Sequence, residues 1–149
     1  MPSPTVFRAE LSDLETLVPL FDAYRVFYAQ PSDRGAAREF LAARLSAGES
    51  VVFLAFLGGE AVGFTQLYGS FSSVSLRRLW ILNDLFVTPE ARRKAVAGAL
   101  LERAQQHARE TGAKGLTLQT ATDNHSAQAL YEAHGWERDT GFLTYTRRV

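Results

Sequence analysis

The spacing of apolar and polar positions changes several times along this 149-residue chain, and each change predicts an element. Thr5 to Arg8 reads as a short first strand. Ser12-Asp13-Leu14-Glu15 has the spacing of a capping box, so a helix is expected from near Ser12, with Pro19 kinking or shortening it. Phe21, Tyr24, Phe27 and Tyr28 keep one face of that helix aromatic. Gln30 to Gly35 breaks it, and Ala36 to Ala47 predicts a second amphipathic helix with Phe40, Leu41 and Leu45 inward. Val51 to Leu57 is a continuous apolar run, Gly58-Gly59 supplies a positive-φ turn and Ala61 to Tyr68 returns, which is a hairpin pattern.

After a turn region at Ser70 to Ser73, the stretch RRLWILNDLFV predicts a strand ending at Val87. A long helix is expected from Arg92 to about Thr111, with Val96, Leu100, Ala104 and Ala108 on one stripe. Gly115 to Ala121 is the next strand. A short helix follows from about His125 to His134, capped by Asn124 or Asp123. GWERD and FLTYTRR predict two closing strands. The order is β-α-α-β-β-β-α-β-α-β-β, without linker, repeat or low-complexity tract. It predicts one α/β domain over residues 1–149 with a mixed sheet.

Two stretches carry candidate chemistry. In LWILNDLFV the simple alternation puts Trp80, Leu82 and Phe86 on one face and Ile81, Leu85 and Val87 on the other, as in a strand buried on both sides. Asn83 and Asp84 interrupt it. A buried carboxylate is costly unless it is hydrogen-bonded or faces water, so Asp84 is either a structural hydrogen-bonding group or the mark of a polar cleft. Directly after this strand, Arg92, Arg93 and Lys94 place three positive charges where a helix is expected to begin, and Ala95 and Ala97 are small. A helix start presents unpaired N–H groups that suit phosphate. The alternative is a solvated basic helix start. Alanine serves in such a loop provided that these residues already have helical φ.

Composition narrows the field. Sixteen basic and sixteen acidic residues cancel, so no global field draws the chain to nucleic acid or to an anionic membrane, and neither is an expected partner. The longest apolar run, Val51 to Leu57, is too short to span a bilayer. The chain has no cysteine, hence no disulfide, thiolate nucleophile or cysteine metal site. His107, His125 and His134 lack metal-ligand spacing, so no metal is expected and packing or surface roles are. The first ten residues lack the features of a secretory signal, and a cytoplasmic location is expected.

The loop after Val87 resembles motif A of the GNAT N-acetyltransferases, (Arg or Gln)-x-x-(Gly or Ala)-x-(Gly or Ala), with Arg92, Ala95 and Ala97 in its positions. A second stretch, DNHSAQALYEAHGW, is similar to that family's Asn-x-x-(Ala or Ser)-x-x-(Leu or Phe)-Tyr-x-x-x-Gly-aromatic signature, through Asn124, Ala127, Leu130, Tyr131, Gly135 and Trp136. Within the family the chain most resembles the branch of histone, polyamine and D-amino-acid acetyltransferases. Alanine stands at both Ala95 and Ala97, where glycine is commoner in the family.

The resemblance implies a mostly antiparallel central sheet splayed between its fourth and fifth strands. It also implies transfer of acetyl from acetyl-CoA to a primary amine, whether a small amine, an amino acid or a lysine side chain. The pyrophosphate would lie on backbone N–H groups of Arg93, Lys94, Ala95, Val96, Ala97 and Gly98, next to Arg92. The pantetheine arm would run along Leu85, Phe86 and Val87, with Asn124 and Ala127 nearby. Tyr131 would be the general acid for the CoA thiolate, the other reading being a core tyrosine, and Asp84 would bind or deprotonate the amine. Tyr24, Phe27, Tyr28 and Asn83 are weaker candidates for lining the acceptor site. A homodimer is among the expected states. The competing class is a domain of the same fold that binds acyl-CoA or a protein without catalysis.

Overall fold

The computed structural model describes residues 2–149. They form two compact units, one ending at Gln119 and the other Thr120–Val149.

The first unit holds a five-stranded sheet whose spatial order follows the chain: β1 (Thr5–Arg8), β2 (Ser50–Leu57), β3 (Glu60–Ser72), β4 (Arg77–Val87) and β5 (Leu116–Thr117). All neighbours are antiparallel except β4 and β5, which run parallel. The β2–β3 hairpin closes as expected: Leu57 faces Glu60 across Gly58 (φ +58°) and Gly59 (φ +82°), the left-handed pair that a tight two-residue turn demands. β3 runs further than expected. It takes in Ser70 to Ser72, because these residues pair with Leu79, Arg78 and Arg77 of β4, so the turn lies beyond them.

Helices α1 (Leu14–Phe27) and α2 (Arg34–Ser46) cover one face of this sheet. Leu17, Val18, Leu20, Phe21, Ala37 and Leu41 pack there on Val52, Leu54, Phe64 and Phe86. The helical start lies slightly upstream of the expected box, where Asp13 Oδ2 accepts the Glu10 N–H at 2.8 Å ahead of a single 3₁₀ turn, Leu11–Asp13. Pro19 does not shorten α1. Its lost hydrogen bond is offset by the burial of Leu17, Val18, Leu20 and Phe21 on both sides of it. Of the residues expected inward on α2, Leu41 is buried, whereas Phe40 is partly exposed and stacks on Phe21.

The α1–α2 loop is fixed by the buried Asp22. Its carboxylate accepts from Ser32 Oγ at 2.6 Å and from the Asp33 N–H at 2.8 Å. The Ser32 hydroxyl first, and the Asp33 amide second, hold this carboxyl below its ordinary pKa. Asp33 in turn caps α2 by accepting the Ala36 N–H at 3.0 Å.

Helix α3 (Val96–Glu110) covers the opposite face, burying Val96, Leu100, Ala104 and Ala108 as expected, and also Leu101 and His107. His107 is a packing histidine, with its ring 4.8 Å from that of Trp80 and 5.6 Å from that of Phe53. Burial pushes its imidazole pKa down. The helix starts at Val96 and not at Arg92, for a reason that belongs to the functional loop below.

In the second unit, α4 (His125–Ala133) is capped by Asn124, whose Oδ1 accepts the Ala127 N–H at 3.1 Å. It ends at Gly135 (φ +87°) with the Trp136 N–H on the Tyr131 carbonyl at 3.0 Å and the Gly135 N–H on the Glu132 carbonyl at 3.2 Å. This is a Schellman motif, and glycine is what its left-handed position requires. The two closing strands expected after it are absent from the described residues, which have no regular structure beyond Gly135. Strand propensity makes a strand only where a ladder partner is engaged, and Phe142 (85 %), Leu143 (82 %) and Tyr145 (89 %) stay exposed.

Candidate functional site

One inserted residue shapes the site on β4. In the β3–β4 register Gln66 faces Asp84 and Leu67 faces Leu82, so Asn83 is an extra residue, a β-bulge. Bulging shifts the alternation by one. Trp80 therefore points toward α3, against His107, while Phe86 points toward α1, against Tyr24 at 6.2 Å. The expectation that Trp80 and Phe86 share a face fails for this reason. Asp84 follows Phe86 to the α1 face.

The backbone alternation shifts too. Before the bulge, the Trp80 N–H donates to the Gly115 carbonyl on the β5 side, and the Arg78 carbonyl accepts from Lys114. Beyond it, the Asp84 carbonyl accepts from Thr65 Oγ1 (2.8 Å) and the Thr88 N–H donates to Val62 (2.8 Å), both toward β3. A side chain at Gly63 would meet the Phe86 carbonyl at 2.7 Å, which also places Phe86 toward β3. Leu85 and Val87 are thus the residues whose peptide groups turn to the other edge. Pairing of β4 with β5 is over by then, its last pair being Ile81 with Thr117. Of the three residues expected to meet a pantetheine arm, Leu85 and Val87 turn their peptide groups to this edge and Phe86 turns its own toward β3.

Asp84 is only 5 % exposed and accepts at both oxygens, from Gln66 Nε2 at 2.7 Å and from Asn83 Nδ2 at 3.0 Å. Two residues along β3 on the same face lies Tyr68. Burial pushes its phenol up to about 12, and the charge of Asp84 adds to this while Arg44 opposes it. Tyr68 borders a cavity of about 530 Å³ whose walls include Arg44, Glu49 and Trp80. Neither Asp84 nor Gln66 is among the residues that line it.

The loop after β4 begins with a single 3₁₀ turn, Pro89–Ala91, and continues through Arg92 to Ala95 before α3 starts. Arg93 (φ +62°) and Ala95 (φ +64°, ψ +14°) are left-handed, whereas Arg92 (φ −68°) is extended. Left-handed residues set among right-handed ones turn N–H groups into a shared concavity that suits an anion. The first α3 bond runs from the Ala99 N–H to the Ala95 carbonyl at 3.1 Å, so the N–H groups of Val96, Ala97 and Gly98 precede the helical ladder. Gly98 sits within this first turn and not at a left-handed position.

Helical φ was the condition under which alanine serves in the loop, and Ala95 does not meet it. It occupies the conformation that glycine favours, at a cost of about 1–2 kcal/mol. Ala95→Gly is accordingly expected to raise the free energy of unfolding by about 1 kcal/mol, after the gain in unfolded-chain entropy is subtracted. Urea titration checks this: a higher midpoint at unchanged slope supports it, and a lower midpoint contradicts it.

Arg92 is exposed like its neighbours but reaches back along the loop. Its Nε donates to the Val87 carbonyl at 3.2 Å, and its guanidinium lies 5.5 Å from the centre of the Phe27 ring. The end of α1 is thereby tied to the end of β4. Of the four weaker lining candidates, the structure brings Tyr24, Phe27 and Tyr28 together (ring separations of 5.0 and 5.2 Å) and sets Tyr24 on Phe86. Asn83 serves as a clamp on Asp84. Gln66, Thr65 and Tyr68 went unforeseen. The available signal was a glutamine within the apolar run AVGFTQLY, but its partner depends on a register that only the bulge defines.

In the second unit, Tyr131 stands three residues before the cap of α4, with its ring 6.1 Å from that of Trp136. That contact is the apolar closure usual in a Schellman motif, and it accounts physically for a tyrosine followed four and five residues later by glycine and an aromatic residue. Asn124 holds the other end of the same helix. No cluster of three or more potential metal ligands occurs among the described residues, and no described helix is long and apolar enough to cross a membrane.

Comparison with known proteins identifies a family and a shared fold. The family model described as Acetyltransferase (GNAT) family matches residues 17–136. The uncharacterized N-acetyltransferase YhfO of Bacillus subtilis (strain 168) is 52 % identical over 142 residues, spanning 95 % of each chain. A crystal structure of a probable acetyltransferase superimposes with a TM-score of 0.92 at 46 % identity, covering 97 % of both chains. The aminoglycoside N-acetyltransferase AAC(6')-Iy, solved in complex with CoA, shares the fold with a TM-score of 0.81 at 21 % identity, covering 100 % of this chain and 97 % of its own.

Proposed function

The chain belongs to the acetyltransferase (GNAT) family, and we propose that it moves acetyl from acetyl-CoA to a primary amine by direct attack. The observation that carries this reading is the bulge at Asn83. One inserted residue turns the peptide groups of Leu85 and Val87 to an edge where strand pairing has ended, and it turns Asp84 to the α1 face. The next segment presents the left-handed Arg93 and Ala95 and the unladdered N–H groups of Val96 to Gly98. A diphosphate suits the second feature, and an amide-bearing arm suits the first. The CoA bound by AAC(6')-Iy supports the choice of ligand.

In this reading the exposed Arg93 and Lys94 add charge around the pyrophosphate, while Arg92 braces the loop against Val87 and Phe27. An N–H of Leu85 or Val87 polarises the thioester carbonyl, where charge develops as the amine attacks. Asp84 receives the acceptor as its ammonium and takes the proton that the nitrogen must lose. The nitrogen bonds to the carbonyl carbon, the C–S bond breaks with its electron pair on sulfur, and the Tyr131 hydroxyl protonates the departing thiolate; the second proton lost by the nitrogen restores the Tyr131 phenol, and Asp84 releases the first to solvent. Aromatic side chains at the end of α1 line the acceptor side. The balance is one acetyl-CoA and one ammonium giving an amide, free CoA and a proton. A cytoplasmic location fits a reaction fed by acetyl-CoA.

Acetyl-CoA is expected to raise the melting temperature progressively through the millimolar range, because a ligand that binds only the folded chain stabilises it. Thiol release over polyamines, amino acids of both hands and lysine peptides then identifies the acceptor. No thermal shift with either acetyl-CoA or CoA would count against the whole reading.

A further inference from the structure

β2 begins at Ser50, opposite Tyr68, whereas β3 continues to Ser72 with β4 as its only ladder partner. The cavity that Tyr68 borders opens where β2 leaves off, beside Gly69 and Phe71, and its walls also include Arg44, Gly48 and Glu49. It lies far from the loop that follows β4. Arg78, in the cavity wall, and Val87 sit near opposite ends of β4, roughly 30 Å of strand apart.

The charges in this wall do not cancel. Arg44 has a carboxylate of its own, Glu49, at 2.9 Å. Arg78 has none. Its guanidinium carbon lies 4.5 Å from the centre of the Phe71 ring and 4.9 Å from that of Trp80, and no hydrogen bond or ion pair engages the group among the described residues. Aromatic faces hold a guanidinium and fix its direction, but its N–H donors lie in its own plane and stay available. Gly69 is part of this seat. A Cβ there would meet Arg78 Nη1 at 2.6 Å, so the missing side chain is what lets the guanidinium lie against the strand. Tyr68 adds an O–H donor, since burial and the Asp84 charge push its phenol up to about 12.

A seated planar cation with a phenol nearby matches a carboxylate, which takes two parallel N–H bonds from one guanidinium. That group fills only a small part of about 530 Å³. The remaining space is bounded by the rings of Tyr68, Phe71 and Trp80 and by glycine backbone, which suits a flat apolar body. We propose that this cavity is a second binding site, for a small carboxylate on a flat apolar body, with the Arg78 guanidinium as its anion-binding group and Gly69 as the residue that seats it. The inference does not depend on the acetyl-transfer reading.

The test is titration calorimetry on the full chain with cinnamate, its neutral amide cinnamamide and inorganic phosphate. Wild type is expected to bind cinnamate one to one and about ten-fold more tightly than either comparison ligand, equally well with CoA present or absent. Arg78→Met keeps an unbranched stem against the two rings and should bring cinnamate down to the level of the amide. Gly69→Ala keeps the charge but unseats it, at little cost to the fold because the displaced atom ends a flexible side chain. Cinnamate binding should then weaken three-fold or more at an unchanged unfolding midpoint. Gly69→Ala carries the test if Arg78→Met folds badly, and the comparison of ligands on wild type needs neither variant. Several results would overturn the inference: no cinnamate binding at millimolar concentration, binding no tighter than that of the amide or phosphate, or displacement by CoA. A Gly69→Ala protein that binds cinnamate like wild type would overturn it as well.

Discussion

Tyr131→Phe is expected to lower kcat by roughly 10²–10⁴-fold, the range typical of a general acid, while the protein stays folded. The structure makes this substitution unusually clean. Tyr131 offers its backbone carbonyl to Trp136 and its ring to the indole, and both belong to the cap that ends α4. Phenylalanine retains both, so the hydroxyl alone is removed. Whatever that hydroxyl contributes to folding is on the order of 1 kcal/mol, a melting shift of a few degrees for a chain of this size. Tyr131→Ala would be uninformative by comparison, because it also removes the apolar closure of the cap. Purified variant and wild type are compared by thiol release at saturating acetyl-CoA and amine, with thermal melts in parallel. Activity within a few-fold of wild type would leave Tyr131 as a capping residue only, and the proton for the thiolate would have to come from elsewhere.

How far the sequence anticipates this molecule depends on what each feature rests on. The Gly58-Gly59 hairpin, the buried stripe of α3 and the cap at Asn124 depend on residues near one another in the chain, and each forms as their chemistry dictates. The second signature stretch forms α4 as the pattern has it, whereas α3 starts at Val96 and not at Arg92 of the first. What was not legible depends on pairing between distant strands. The apolar pattern of LWILNDLFV is interrupted at Asn83 and Asp84 together, so nothing in it marks Asn83 as the inserted residue, and simple alternation puts Trp80 and Phe86 on one face. The bulge exists because β3 supplies Gln66 and Leu67 in one register on one side of it and another register on the other. Gln66 stayed hidden for the same reason. Ala95 misled in a different way. Its helical propensity is the highest of any residue, yet it sits left-handed at the foot of α3. FLTYTRR shows the reverse limit: a strand pattern in a segment that the described structure leaves without a ladder.

For Asp84→Asn the expected result is a loss in kcat/KM for the amine of 10²-fold or more at neutral pH, with the thermal response to acetyl-CoA unchanged. Replacing a buried carboxylate usually raises the concern that the fold suffers, and here the neighbours answer it. Asp84 accepts from Gln66 Nε2 and Asn83 Nδ2, so a new amide in its place has one oxygen for one of these donors and one NH₂ group in search of an acceptor. Gln66 can supply that acceptor by turning its amide over, which brings the unpartnered Oε1 to face the new NH₂. The substitution thus exchanges one pairing for another, and the unfolding midpoint should move little. The charge is gone, however, and with it both the attraction for an ammonium and the base that receives its proton. An alkylamine with a pKa near ~10.4 is then reactive only as its small neutral fraction. The kcat/KM of the variant should therefore climb about ten-fold per pH unit above neutrality, toward the amine's own pKa, while the wild-type profile flattens earlier. Parallel profiles, or full activity at neutral pH, would mean that the carboxylate serves only the β3–β4 pairing and that the amine is received elsewhere.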